Sequence, residues 1–182
     1  MNNSIKSAQG FTLAELLIAL AILGVIATFT IPKILTTQQN SKYNAMAKEV
    51  ASSFAGAYRL YSQSNTVTTA TKVTDLTPYL NYVSVDTSST ADDHYTWPSQ
   101  PCGNGTFTCL KLHNGGIIWW QTSDNFGGTN SASDHIYINF DPDSGIQSAG
   151  SGVQFRLYWG GRLTSAQQAG EAATADPSWF QW

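Results

Sequence analysis

From Phe11 to Ile31 the chain reads FTLAELLIALAILGVIATFTI, an apolar run of 21 residues in which Glu15 is the one charge. As an α-helix rising 1.5 Å per residue it would span about 31 Å, the thickness of a bilayer's hydrocarbon core. A cleaved secretory signal is the alternative. Against it, the run exceeds the roughly 7 to 15 residues of a signal's apolar region, and no small-x-small site follows before Pro32. The ten residues ahead of the run are polar, with Lys6 and the starting amine as positive charges, so that end is expected to stay cytoplasmic while the rest crosses.

Charged residues make up 12% of the chain, about half the usual share. The formal net charge is −3, which leaves no electrostatic footprint for nucleic acid. Within the apolar run an ionised Glu15 is costly, about 2.5 to 3.5 kcal/mol at the centre of an inserted helix. Two readings relieve it. Lying one turn into the segment, Glu15 can reach the headgroup region, or it can pair with a cation supplied by another protein.

Residues 10 to 15, Gly-Phe-Thr-Leu-Ala-Glu, run straight into the apolar helix. This junction resembles the class III leader of the type IV pilin and type II secretion pseudopilin superfamily. The resemblance covers residues 10 to about 34 and implies cleavage by a prepilin peptidase between Gly10 and Phe11, with methylation of Phe11. Glu15 is then the fifth mature residue. Pro32 is the twenty-second, where many helices of the family kink or melt, and Lys33 follows in the same Ile-Pro-Lys step. Gln9 departs from the basic residue that usually precedes the glycine, which places leader recognition on Gly10 and the apolar run. The expected partners are other subunits of the filament, the prepilin peptidase, a membrane assembly platform and inner-membrane lipid. Physically, cleavage exposes an amine on Phe11 that a neighbour's Glu15 can neutralise within a low-dielectric bundle. Such a head-to-tail contact propagates into an open helical filament.

Beyond Pro32, Tyr43, Met46, Val50, Phe54, Ala57 and Tyr61 recur every three or four residues, which predicts an amphipathic helix. Pro32 removes one backbone hydrogen bond without ending the helix. The reading is one kinked helix over residues 11–63: a membrane and filament-core part, 11–31, and an amphipathic part, 32–63, after a leader at 1–10. A β-rich head occupies 64–182.

Residues 64–112 are rich in Ser, Thr, Asn and Asp and read as mostly irregular, with a short helix or strand around Leu76, Tyr79 and Leu80. Within CGNGTFTC, Asn104-Gly105 is a strong hairpin signal. A disulfide between Cys102 and Cys109 across it is expected for an exported chain, as against two free thiols. Strands are expected at Ile117–Thr122, His135–Phe140 and Val153–Trp159. Alternation turns Ile136, Ile138, Phe140, Val153, Phe155 and Leu157 inward and Gln154, Arg156 and Tyr158 outward. Gly160-Gly161 turns the chain into a short strand at Arg162–Thr164. The tail reads as loose except where Trp179, Phe180 and Trp182 find a surface. The expected class is α+β, a pilin-like fold with a long helix on an antiparallel sheet.

His94, His113 and His135 occur without the local frame of any hydrolase or metalloprotease, so no enzyme is expected. Asn139, Asp141 and Asp143, ahead of Gly145, place oxygen ligands at alternate positions, as a calcium loop does. The glycine falls one residue late and no bidentate Glu follows, so a solvated turn between strands is the competing reading. The overall expectation is a filament subunit, made as an inner-membrane precursor with a periplasmic head and ending in an extracellular pilus or a periplasmic pseudopilus. A helix-anchored periplasmic binding module is the reading from another class.

Overall fold

The computed structural model describes residues 11–86, 96–97, 100–101, 107–127, 134–142, 152–165, 177–178 and 180–182. A single α-helix, α1, runs Leu13–Ser64 without interruption at Pro32. Its contacts divide the chain into two units, Met1–Asn40 and Ser41–Trp182.

In the first unit α1 has no core to join. Leu16, Leu20, Leu23, Ile26, Phe29 and Ile31 are all exposed. Its hydroxyls are turned back on the helix: Thr28 Oγ1 donates to the Gly24 carbonyl and Thr30 Oγ1 to that of Ile26, each at 2.8 Å. A threonine thus adds no unpaired polar group to an apolar surface.

The second unit is α+β. Here α1 buries Met46, Ala47, Val50, Ala51, Phe54, Ala57 and Tyr58, and Tyr43 and Tyr61 pack at the margins, so the expected stripe is the buried face. A 3-10 helix, η1 (Val73–Tyr79), follows and drives Val73 and Leu76 into the core. The irregular stretch expected over 64–112 therefore holds more structure than its composition suggests. It also contains β1 (Ser84–Asp86), the short pair β2 (Thr96–Trp97) and β3 (Gln100–Pro101), and β4 (Phe107–Lys111).

Four more strands complete the sheet: β5 (Ile117–Gln121), β6 (His135–Asp141), β7 (Val153–Tyr158) and β8 (Leu163–Ser165). The main sheet is antiparallel in the order β1-β4-β5-β6-β7-β8. Its hairpin between β4 and β5 is built on Asn114-Gly115: Gly115 takes φ +90°, and Leu112 N donates to the Gly116 carbonyl at 2.9 Å. The other Asn-Gly pair, Asn104-Gly105, lies outside the described residues.

Register fixes two faces. Leu110, Ile118, Phe140 and Val153 line up across four strands and, with Trp120, Ile138, Phe155 and Leu157, form the core with α1. The opposite face carries Cys109, Trp119, Asn139, Gln154, Arg156 and Tyr158 in the alternate register positions. Arg156 and Tyr158 do point away from the core, but they are 5% and 8% exposed, so this face is not the solvated one that alternation implied. Long side chains shield one another on it: Arg156 lies over the Tyr137 ring at 5.2 Å and Arg162 over Tyr158 at 4.2 Å.

The tail is anchored as its aromatics suggested. Phe180 is buried edge-on against Phe155, with centroids 5.9 Å apart, and Gln181 N donates to Asn44 Oδ1 on α1 at 3.2 Å. Trp179 lies outside the described residues.

Asp124, after β5, is partly buried, and that desolvation raises its carboxyl above the ordinary Asp range. Folding therefore favours its protonated form. The contribution is fully present below the unfolded Asp value and is lost as pH rises through the folded one. Asp124→Asn should accordingly raise the head's denaturation midpoint at neutral pH and leave it little changed at acid pH. A midpoint that falls at pH 7 would show the carboxylate to be stabilising.

Candidate functional site

The N-terminal end of α1 is organised by two side chains. Thr12 precedes the first helical residue, and Glu15 sits three positions on. Glu15 Oε2 accepts from both Thr12 N and Thr12 Oγ1, each at 2.8 Å, while Glu15 N donates to Thr12 Oγ1 at 3.3 Å. This is a capping box: each residue satisfies a backbone donor that helix geometry leaves without a partner. A carboxylate at this end also lies favourably in the helix dipole.

The arrangement gives Glu15 a role that neither earlier reading contained. Its carboxylate is held within its own subunit, by one oxygen. Oε1 receives no hydrogen bond among the described residues and remains available to an outside donor. The signal for the box, Thr-x-x-Glu ahead of an apolar run, was present in the sequence.

Phe11 projects from this end, 86% exposed, and the apolar window of the helix that follows has no residue buried. Pro32, itself exposed, lacks the amide that would bond to the Thr28 carbonyl, yet α1 continues through it. Phe11 just ahead of α1, and Glu15 and Pro32 within it, are all exposed, and α1 is long and apolar enough to cross a membrane. Gly10 lies outside the described residues.

The prokaryotic N-terminal methylation motif matches residues 5–31, a stretch that takes in the Gly10–Phe11 junction, Glu15 and the whole apolar run. The chain carries the class III signal of type IV pilins and pseudopilins. That signal implies processing by a prepilin peptidase and assembly with other subunits of the pilin type. It marks a structural class rather than an enzymatic one, and with the exposed apolar helix it fits a membrane-anchored precursor. The α+β architecture of a long N-terminal helix and a six-stranded antiparallel sheet is consistent with a pilin-like fold. No curated protein and no solved structure matches the chain.

The other candidate residues lie on the sheet. Cys109, on β4, is 4% exposed and packs with Trp119 and Phe107, whose rings meet edge-on at 5.7 Å; Cys102 lies outside the described residues. Asn139 and Asp141, both on β6, are buried, and Asp143 lies outside the described residues. Asn139 is engaged at both ends of its carboxamide: Nδ2 donates to the Trp119 carbonyl at 3.3 Å, and Oδ1 accepts from Gln154 Nε2 at 3.0 Å. Among the described residues, no cluster of three or more His, Cys, Asp or Glu is placed to hold a metal ion.

Proposed function

We propose that the chain is a structural subunit of a type IV pilus-like filament. In this reading it enters the inner membrane as a precursor with its head in the periplasm, is cleaved between Gly10 and Phe11, is methylated on Phe11, and assembles through residues 11 to about 34. The observation that carries the proposal is the coincidence of the methylation motif with a helical segment that, among the described residues, is exposed along its length and carries near its start a carboxylate with one oxygen unengaged. An apolar surface of this extent must be covered by lipid before assembly and by neighbouring helices after it.

The deciding experiment is intact-mass and N-terminal analysis of sheared surface filaments beside the membrane fraction. Recovery in filaments of a chain that begins at methylated Phe11 is the expected result. Processed chain confined to the cell envelope would assign it to a secretion pseudopilus, and an uncleaved Met1 terminus to a helix-anchored binding module.

The head contributes a second expectation. A Cys102–Cys109 disulfide is part of the proposal, supported by the absence of a free cysteine among the described residues and by the burial of Cys109. A loop this short removes little chain entropy, less than the ~3 kcal/mol of a 15-residue loop. Reduction should therefore lower the head's melting temperature by a few degrees without unfolding it, as followed by near-ultraviolet circular dichroism. Two alkylatable thiols in natively exported protein would reject the pairing. We favour no calcium role for Asn139, because it spends its carboxamide within the sheet.

A further inference from the structure

A cleft of about 430 Å³ opens in the head between α1, the end of η1 and the β4–β5 turn. Its floor is apolar, from Val50, Leu80, Leu112 and Ile118, and its rim is polar, with Glu49, Asn81 and His113 exposed around it. The volume lies within the range of small-molecule sites, and an apolar floor with a few convergent polar groups is the usual plan of one.

The rim specifies the ligand's charge. Asn114 Nδ2 donates to Glu49 Oε2 at 3.5 Å, which holds the carboxylate over the cleft, and Asn114 is itself fixed because its Oδ1 accepts from Gly116 N at 3.1 Å. His113 Nε2 lies 3.1 Å from Asn81 Oδ1, which can only accept. As that oxygen accepts, His113 Nε2 is the donor in this contact. Among the described residues, no Lys or Arg lines the cleft. The Glu49 carboxylate above an apolar floor matches a donor cation with an aliphatic stem.

We propose that this cleft binds a primary alkylammonium group, its methylene stem against Val50 and Leu80 and its charge on Glu49. Two sources share that chemistry: a free amine and a lysine side chain presented by another polypeptide. The site belongs to the head, apart from the assembly segment, and does not depend on the filament reading.

The test uses the full chain in detergent, isotope-labelled, with amide shifts followed during titration by n-butylamine, its neutral isostere n-butanol and its anionic counterpart butyrate. Saturable shifts at the amides of residues 49–53 and 112–116 with butylamine are expected, with butanol about tenfold weaker, as loss of one charged hydrogen bond implies. Butyrate should produce none. Glu49→Gln, on an exposed position of α1, should weaken butylamine about tenfold. Ser53→Met, which fills the mouth from another exposed position, should abolish the shifts. A lysine-containing tripeptide that binds more tightly than butylamine would identify the lysine source, and one that fails while butylamine binds would identify a free amine. Equal response to butanol, or a Glu49→Gln chain that binds butylamine as the wild type does, would overturn the proposal.

Discussion

Glu15→Ala should abolish filament incorporation while leaving the membrane pool of precursor at the wild-type level. The substitution removes a polar group from an apolar segment, so insertion becomes easier. It also removes half of the capping box, which frays the first turn of α1 but leaves the head alone, since the first residue of α1 buried in the core is Met46. What assembly loses is larger. In the proposed filament the Phe11 amine of a neighbouring subunit has Glu15 as its partner, and stranding one member of a buried pair costs about 3 to 5 kcal/mol. That penalty recurs at every subunit. Glu15→Asp keeps the charge but shortens the reach to Thr12, so it should assemble at intermediate yield. The measurement is sheared-filament yield beside membrane abundance for the three chains. Normal incorporation of a correctly cleaved Glu15→Ala chain would confine the carboxylate to its observed role, capping its own helix.

Gly161→Ala should destabilise the head by about 2 to 4 kcal/mol, whereas Gly160→Ala should change it by less than about 0.5 kcal/mol. The neighbours in sequence differ because of where the β7–β8 turn lands. Gly161 takes φ +76°, a conformation that costs an L-residue about 1 to 2 kcal/mol, and a Cβ there would stand 2.6 Å from the Tyr58 ring. Tyr58 cannot easily withdraw. It is 8% exposed, meets Phe126 edge-on with centroids 6.2 Å apart, and its hydroxyl donates to the Trp159 carbonyl. Burial also raises its phenol above the ordinary Tyr range, in keeping with that lodged position. At Gly160 an added Cβ meets nothing within 4 Å. Denaturant unfolding of the four chains Gly160→Ala, Gly161→Ala, Tyr58→Ala and Tyr58→Ala/Gly161→Ala separates the contributions. In the Tyr58→Ala background the steric part of the Gly161 penalty should vanish and the backbone part remain. Equal effects at the two glycines would mean that the turn repacks.

Local pattern alone determined the elements whose pattern and environment agree. The apolar run of α1 needs no tertiary partner to be read, because its length and hydropathy alone make it a helix able to cross a membrane. The stripe from Tyr43 to Tyr61 and the strands β5, β6 and β7 were legible because each buries one periodic face. β1 and β4 were not, since three- and five-residue strands in Ser- and Thr-rich surroundings draw their stability from the neighbours they pair with. The Asn114-Gly115 hairpin into β5 was not singled out either, because its strand β4 was not, and the register that places Leu110 beside Ile118 and Phe140 in the core is what sets it.

The candidate residues divide in the same way. Gly10, Phe11 and Glu15 form a local signal, read from adjacent positions, and Thr12 was available to the same reading through the capping-box spacing. The cleft rimmed by Glu49, Asn81 and His113 was invisible. Its residues come from three elements separated in the chain, and chain folding alone brings a helix carboxylate, a post-helix amide and a hairpin imidazole to one opening. The burial of Arg156 and Tyr158 was hidden for a related reason. Alternation along a strand tells which side a residue faces, whereas what lies on that side is a property of the packed molecule.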